Sequence, residues 1–169
     1  MRCPNLEELP PAPMCKSGWP WTESSNPKHW NEYVKYPTIS IVTPSFNQGH
    51  FIEETIRSVL LQGYSDIEYT IIDGGSTDDT IHIIKKYSPW LHFWVTEPDR
   101  GQSHAINKGF SRATGSIYAY INSDDFYEQN AFNTAAYAFI QFGKPQLIIS
   151  DCIVFDENIV KRTFKAWWP

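Results

Sequence analysis

Apolar and polar positions repeat with two different periods along residues 38–150. Short apolar runs rich in β-branched and aromatic residues predict five strands, at residues 38–43, 67–73, 91–97, 116–121 and 146–150. Between them, apolar residues recur at helical spacing and predict four helices, at residues 51–60, 76–87, 102–113 and 131–140. Ser76 and Asp79 have the spacing of a capping box at the start of the second helix. Strands that alternate with such helices predict an α/β fold, a mainly parallel sheet with helices on both faces.

Residues 1–37 show neither period, and we interpret them as a separate N-terminal arm. They contain seven of the twelve prolines and three of the seven tryptophans. Because proline fixes φ and removes a backbone donor, regular structure is unfavourable there. Two interpretations remain open: the tryptophans pack the arm against the domain, or the arm binds a partner. The predicted division is an arm at 1–37 and a domain at 38–169.

Composition and charge narrow the classes of function. Hydrophobic residues make up 41% of the chain and charged residues 20%, which is typical of a globular protein. A formal charge of −5 and the lack of a basic run argue against a nucleic-acid partner. Three cysteines without metal-site spacing favour a reduced compartment. With no secretory signal and no apolar run of membrane-spanning length, we expect a cytoplasmic protein, with membrane association only through partners.

Polar clusters follow each of the first four predicted strands. Since the carboxyl ends of parallel strands meet at one edge of a sheet, we expect these clusters to converge on one rim. Each cluster alone could be only a turn or a helix cap. The four clusters are "TPSFNQG" at 43–49, "DGGSTDD" at 73–79, "EPDRGQS" at 97–103 and "NSDD" at 122–125.

Asp124 and Asp125 are the most informative residues of this rim. They follow the fourth predicted strand, which we expect to be buried. Adjacent carboxylates at a strand end repel one another unless a cation or solvent compensates. Mg²⁺ and Mn²⁺ accept such oxygen ligands, and phosphates of a substrate often complete their shell. We therefore predict a divalent cation, Mn²⁺ or Mg²⁺, held by Asp124 and Asp125 against a diphosphate. The chain has neither a P-loop nor a G-x-G-x-x-G fingerprint, so the sequence does not support the phosphate sites that these two motifs form.

Three segments together resemble a known family: "ISIVTPSFNQGHFIEETIRSVLLQGYSDIEYTIIDGGSTDDT", "EPDRGQSHAINKGFSRATG" and "YINSDD". They are similar to the nucleotide-sugar-binding portion of family 2 glycosyltransferases, which have the Rossmann-like GT-A fold, over about residues 38–157. The resemblance implies that a sugar passes from a nucleoside diphosphate, by analogy UDP, to a hydroxyl of a saccharide, lipid or other acceptor, with inversion. Residues 38–169 would then be a GT-A-like donor-binding domain.

The resemblance also implies roles for individual residues. Thr43, Pro44, Ser45 and Asn47 would line the nucleotide pocket. Asp73 would bind the uracil or its ribose, with Ser76 and Asp78 supporting the loop. The donor phosphates and sugar would be bordered by Asp99, Gln102, Asn107 and Lys108. The "NSD" segment, Asn122, Ser123 and Asp124, would replace the Asp-x-Asp metal motif of the family, with Asp125 beside it.

Two departures from the family pattern stand out. Asn122 occupies the place of the first acid of the metal motif, so we expect a weaker or different metal contact. His104 stands where close relatives often carry aspartate, and we expect it to be structural rather than catalytic.

The region after Asp125 is short for this family, whose acceptor region and catalytic base normally lie further downstream. We therefore expect the domain to be incomplete at its C-terminus, with a partner chain as one source of the missing region. Asp151 follows the fifth predicted strand and is the best remaining candidate for the base, although a structural or donor-side role is favoured for it.

Two other functions remain open. A non-catalytic protein that binds sugar nucleotides, or a scaffold, would need no acceptor region or base. A nucleotidyltransferase of related architecture would need a basic, glycine-rich loop after the first strand, and "PSFNQGH" carries no basic residue except His50.

Overall fold

A computed structural model describes residues 2–25, 35–64, 66–143, 147–154 and 162–165. The chain forms two compact units, Met1–Thr134 and Ala135–Pro169. The first unit contains the main sheet and the cleft described below. The boundary that the sequence predicts between residues 37 and 38 stays a prediction.

Four parallel strands form the main sheet: β1 (Ile39–Ser45), β2 (Ile67–Asp73), β3 (Phe93–Thr96) and β4 (Ile117–Tyr120). Their order is β3-β2-β1-β4, so the chain reverses direction across the sheet beside β1. All seven residues of β1 are buried, as are six of the seven in β2, as expected for strands covered on both faces. The predicted α/β fold with a mainly parallel sheet is confirmed. Ligands of such sheets bind beyond the carboxyl ends of the strands where the order reverses.

The helices are α1 (Ile52–Leu60), α2 (Thr80–Tyr87), α3 (Gln102–Phe110) and α4 (Ala131–Gln141). Short 3₁₀ turns lie at Leu6–Glu8 and Ser88–Trp90. Helix α3 packs close to the sheet because Gly109 leaves room for Val42, which a Cβ at that position would strike. The packed cluster consists of Val42, Ile72 and Ala105, with Phe93, Val95 and Phe110 at its margin.

Two predicted features of the first unit are wrong. Helix α2 begins at Thr80, and Ser76 does not cap it, because the Ser76 hydroxyl donates to the Asp73 carboxylate instead. The fourth strand is not fully buried: Tyr118 and Tyr120 are about half exposed. Ile117 and Ala119, which point to the other face of β4, are partly buried, and β4 is an edge strand in the described part of the sheet.

The fifth strand, predicted at 146–150, is also wrong over the described residues 147–150, which form no strand. Leu147 and Ile149 are 66% and 60% exposed. An apolar run becomes a strand when a neighbouring strand and a covered face are available, and composition alone does not supply them. The second unit instead has two short antiparallel strands, β5 (Cys152–Val154) and β6 (Arg162–Phe164).

The arm packs on the first unit through Arg57 of α1, whose side chain is buried. Its guanidinium donates to three arm carbonyls, those of Pro10 at 2.8 Å, Pro20 at 3.0 Å and Trp21 at 2.9 Å. Trp21 is buried, and the guanidinium lies 5.4 Å from the centre of its ring. The packing interpretation is therefore confirmed for this part of the arm, whereas Trp30 lies outside the described residues.

At the amino end of the sheet, Glu68 joins β2 to β1 and to the α3–β4 connection. Its carboxylate accepts hydrogen bonds from the Ser40 hydroxyl and from the amide and hydroxyl of Thr114. Burial raises the pKa of Glu68, but these hydrogen bonds lower it more, to about 2. The ionised carboxylate therefore contributes to the stability of the folded state.

No helix in the described residues has the length and apolar character needed to cross a membrane.

The Arg57→Leu variant should lower the free energy of unfolding by about 3 kcal/mol, because two buried carbonyls and a partly buried one lose a charged donor. Urea unfolding followed by circular dichroism measures the change. The matched control is Arg112→Leu, which removes only a cation–π contact with Phe93 and should cost about 1 kcal/mol or less. Equal losses in the two variants would show that Arg57 does not fix the arm.

The Glu68→Gln variant should lower the free energy of unfolding at pH 7 by about 1 kcal/mol, since a charged acceptor is replaced by a neutral one. A folded-state pKa of about 2, against an ordinary 4.5, places the contribution of ionised Glu68 above pH 4.5. That contribution is lost as the pH falls towards 2, so the gap between wild type and variant should narrow there. Urea unfolding at pH 7, 4 and 3 checks this. A gap independent of pH contradicts it, and Glu7→Gln in the arm is the control.

Candidate functional site

A cleft of about 590 Å³ opens at the carboxyl ends of the four parallel strands. Segments after all four strands contribute to its walls, as the convergence of the polar clusters predicts. The residues that line it are Pro44, Ser45, Phe46, Gln48, Gly74, Pro98, Asp99, Gly101, Gln102, Ala105, Asn122, Ser123 and Asp124.

The loops after β1 and β2 are joined by hydrogen bonds from successive backbone amides. The amides of Asn47, Gln48 and Gly49 donate to the Ser76 hydroxyl at 2.7 Å, the Thr80 hydroxyl at 2.8 Å and the Asp78 carboxylate at 2.9 Å. Asn47 has a φ of 53°, a conformation that asparagine tolerates better than most residues. The amides of the first loop are therefore bonded to the second loop, and the first loop contributes Phe46 and Gln48 to the lining of the cleft.

Asp73, at the end of β2, is completely buried and organises this region. Its carboxylate accepts hydrogen bonds from the amides of Gly75 and Ser76 and from the hydroxyls of Ser76 and Thr96. These donors belong to the loop after β2 and to β3, so one side chain ties two strand ends together. Asp73 is not among the residues that line the cleft.

Asp99 and Phe46 meet above Gly74 in the wall of the cleft. A Cβ on Gly74 would lie 3.1 Å from Asp99 Oδ2 and 3.4 Å from Phe46 Cδ2, so glycine allows the close approach. Asp99 Oδ1 also accepts a hydrogen bond from the Gly101 amide at 2.6 Å, at the start of α3. The Phe46 ring is 59% exposed, which is unusual for a phenylalanine and offers an apolar face to a ligand.

The acidic loop, residues 122–130, lines the cleft with its first three residues. The Asn122 side chain bridges two neighbours, accepting from Gln102 Nε2 at 2.6 Å and donating to Asp125 Oδ2 at 3.1 Å. Asp124 is exposed and lines the cleft, whereas Asp125 is exposed but does not line it. The two adjacent carboxylates therefore differ in their surroundings.

The carboxylate oxygens that line the cleft suit a hard cation that needs few ligands from the protein. Among the described residues, no group of three or more His, Cys, Asp or Glu side chains could form a complete metal site. Mg²⁺ commonly needs only one or two carboxylates when substrate phosphates supply further oxygens. Asp99 and Asp124 are the two carboxylates that line the cleft, and no lysine or arginine of the described chain lines it.

Ser45 has the one buried side-chain oxygen of the cleft wall that lacks a partner in the part of the chain the structure describes. Its Oγ is inaccessible to solvent and makes no hydrogen bond there. An unpaired buried hydroxyl is unfavourable by about 1–3 kcal/mol. Because its oxygen is inaccessible, Ser45 would pair with a bound molecule only after its side chain rotates towards the cleft.

The structure separates the residues that the sequence predicts as a site into two sets, and their binding roles stay predictions. Those that line the cleft are Pro44, Ser45, Asp99, Gln102, Asn122, Ser123 and Asp124. Those outside the lining are Thr43, Asn47, Asp73, Ser76, Asp78, Asn107, Lys108 and Asp125.

Several residues of the second set have structural contacts. The Thr43 hydroxyl lies 3.1 Å from the Tyr69 hydroxyl in the core, and Lys108 pairs with Glu97. Asp151 belongs to the second unit, where it directly precedes β5. His104 Nδ1 accepts a hydrogen bond from the Arg100 amide at 3.3 Å, and the structural role expected for it stays a prediction.

Sequence reasoning missed six residues of the lining, all of them uncharged. Phe46 is the clearest case, because a large apolar side chain inside a polar turn signals an exposed functional surface. Gly74 and Gly101 lie inside two of the predicted polar clusters, but the sequence does not predict them as site residues. The others are Gln48, Pro98 and Ala105.

Comparison of sequences gives consistent matches. The model of the family described as glycosyl transferase family 2 matches residues 40–167. An uncharacterized glycosyltransferase of Mycobacterium tuberculosis is 38% identical over 90 residues, which are 53% of this chain and 34% of that protein. A PGL/p-HBAD biosynthesis glycosyltransferase of Mycobacterium bovis is 32% identical over 135 residues, 78% of this chain and 50% of that protein. The chain thus spans a third to a half of the length of these relatives.

Solved structures agree on the fold. S. aureus TarS in complex with UDP-GlcNAc has a TM-score of 0.56 and 25% identity, covering 62% of this chain and 31% of that one. The mannosyltransferase PcManGT from Pyrobaculum calidifontis, in complex with GDP-Man and Mn²⁺, has a TM-score of 0.56 and 24% identity, covering 70% of this chain and 35% of that one. These neighbours are GT-A glycosyltransferases, so the predicted fold class is confirmed.

The Asp73→Asn variant should lower the free energy of unfolding by about 2–3 kcal/mol, because a neutral amide replaces a charged acceptor of four hydrogen bonds and has only one oxygen for them. Thermal and urea unfolding measure the loss. Asp79→Asn is the matched control, since Asp79 lies in the same loop, is exposed and makes no cap hydrogen bond with its side chain. If both variants unfold like the wild type, Asp73 does not organise the strand ends.

Proposed function

Because the chain belongs to glycosyl transferase family 2, we propose that its cleft binds a nucleoside diphosphate sugar and that the protein transfers the sugar to a hydroxyl group of an acceptor. The observation that carries the proposal is a cleft at the strand ends with two carboxylates and no cationic side chain in its described lining. The similarity to S. aureus TarS in complex with UDP-GlcNAc supports a UDP-linked donor.

The nucleoside would bind at the end of the cleft formed after β1 and β2. The exposed Phe46 ring offers a flat apolar surface for a base or a sugar. The Ser45 hydroxyl, which is inaccessible and unpaired in the described chain, would gain a partner only if its side chain rotates towards the ligand. Asp73 would act on this end indirectly, by holding the loop after β2 in place, because all its described hydrogen bonds are to this chain.

A divalent cation, Mn²⁺ or Mg²⁺, would bind beside Asp124. A diphosphate next to Asp99 and Asp124 brings like charges together, and no lysine or arginine of the described lining offsets them. A bound cation would reduce this repulsion and stabilise negative charge on the departing diphosphate. Asp125 would support the site through Asn122, whose amide it contacts, and Asn122 would in turn orient Gln102.

The proposed reaction is a single displacement that inverts the anomeric carbon. The acceptor oxygen forms a bond to that carbon while the bond from the carbon to the diphosphate oxygen breaks. The electron pair of the broken bond leaves with the nucleoside diphosphate, and the acceptor proton passes to a base. This base is not assigned among the cleft residues, and for Asp151, the weak candidate from the sequence, a structural or donor-side role stays the favoured interpretation. The cleft residues would hold the donor and shield the reacting carbon from water.

The Asp124→Asn variant should lose the part of nucleotide binding that depends on the cation. In the wild type, UDP with Mn²⁺ at about 100 times the dissociation constant should raise the free energy of unfolding by about 2.7 kcal/mol. The variant should keep the smaller effect of UDP alone and lose most of the additional effect of Mn²⁺. Thermal unfolding with UDP, GDP or dTDP, each with and without Mn²⁺, measures both effects. It also identifies the nucleobase that the cleft prefers. Asp79→Asn is the matched control.

Two results would contradict the proposal. If no nucleotide stabilises the wild type with or without Mn²⁺, the cleft is not a donor site. If Asp124→Asn responds to Mn²⁺ as the wild type does, Asp124 does not hold the cation. Consumption of UDP-sugar in the presence of acceptors distinguishes a transferase from a protein that only binds sugar nucleotides.

A further inference from the structure

Helix α1 and the turn after it form hydrogen bonds with the acidic loop. The loop carries Asp124 near its start, and three polar side chains of α1 and the turn after it contact its backbone. Thr55 donates to the Asp125 carbonyl at 2.6 Å, Ser58 accepts from the Tyr127 amide at 3.1 Å, and Gln62 donates to the Glu128 carbonyl at 2.9 Å. These contacts connect the loop to the buried face of a core helix.

The N-terminal arm makes further contacts with the same loop. Trp19 Nε1 donates to the Tyr127 carbonyl at 2.8 Å, and Ser25 Oγ accepts from the Asn130 amide at 3.0 Å. Both contacts are partly buried. An exposed third contact joins Gln129 to Glu23 at 3.2 Å. Residues 17–25 therefore contact three residues in the second half of the acidic loop.

The arm can hold the loop because it is itself fixed to α1. Arg57 donates to the carbonyls of Pro20 and Trp21, which directly follow Trp19. The Ser25 amide donates to the Leu61 carbonyl at 2.9 Å, just after α1 ends. The Trp19 and Ser25 side chains are thus held by backbone contacts beside each of them, and their position against the loop is determined by the core.

We propose that residues 17–25 are a positioning segment for the cation-binding end of the cleft, with Trp19 and Ser25 as its positioning residues. The proposal rests on the proposed function, because Asp124 is the residue whose position these contacts would set. Neither Trp19 nor Ser25 lines the cleft, so both act through the backbone of the acidic loop. The nucleoside end is formed after β1 and β2, and these contacts do not support it.

Two substitutions remove the contacts with little loss of volume. Trp19→Phe keeps an aromatic ring and removes the indole N–H, and Ser25→Ala removes the acceptor of the Asn130 amide. The matched control is Trp94→Phe, since Trp94 lies on β3, at the opposite edge of the sheet from β4.

Amide hydrogen exchange of the free protein tests the contact itself. In Trp19→Phe and Ser25→Ala, the amides of residues 125–130 should exchange faster than in the wild type, while those of β1 and β2 should not change. Trp94→Phe should leave residues 125–130 unchanged. Wild-type exchange of residues 125–130 in both arm variants would overturn the proposal without any bearing on the proposed function.

Titration of Mn²⁺ in the presence of UDP tests the effect on the site. Trp19→Phe should bind Mn²⁺ about fivefold more weakly, the factor expected for one net hydrogen bond. Its affinity for UDP without metal should equal that of the wild type. Equal weakening of UDP binding with and without Mn²⁺ would indicate a general loss of structure and overturn the proposal. If the wild type binds neither UDP nor Mn²⁺, the proposed function fails and this positioning role fails with it.

Discussion

A buried carboxylate is tolerated only where donors surround it, and Asp73 is surrounded by four. Two of its donors are backbone amides of the loop after β2, and a third is the hydroxyl of Thr96 on β3. The fourth, the hydroxyl of Ser76, also accepts from the Asn47 amide in the loop after β1. The ends of three neighbouring strands are therefore held together by one ionisable group. Because the cleft opens at these ends, its shape depends on this arrangement.

The rest of the cleft is built by close backbone approach rather than by further charges. Gly109 lets α3 lie against Val42, and Gly74 lets Asp99 and Phe46 meet over the end of β2. Slight burial raises the pKa of Asp78, but hydrogen bonds from Thr80 and the Gly49 amide lower it more, so this carboxylate stays ionised as an acceptor. Asp99 and Asp124 are left as the carboxylates of the lining, and this contrast distinguishes structural acids from acids available to a ligand.

The sequence predicted the elements of the first unit because their apolar periods are strong and their ends are marked by turn residues. It also predicted which strand ends converge, since this follows from parallel strand order alone. The sequence could not show that the Asp73 carboxylate is buried and hydrogen-bonded while that of Asp124 is exposed, because exposure and partners arise only from tertiary contacts. Ser76 was predicted as a helix cap since its spacing fits one, and the nearby Asp73 carboxylate competes successfully for its hydroxyl. The exposed run at 147–150 shows the converse limit, because apolar composition does not reveal whether a partner strand exists.

Arg57 recognises the arm almost entirely through main-chain carbonyls, those of Pro10, Pro20 and Trp21. A carbonyl is present whatever the side chain, so these three hydrogen bonds do not depend on the amino acids of the arm, whereas the Trp21 ring and the Trp19 and Ser25 side chains make further contacts. The family match begins at residue 40, after the arm but before Arg57. Attachment of the arm and its contact with the acidic loop therefore make separate demands on the sequence. The first needs a buried arginine in α1, and the second needs particular side chains at two positions of the arm.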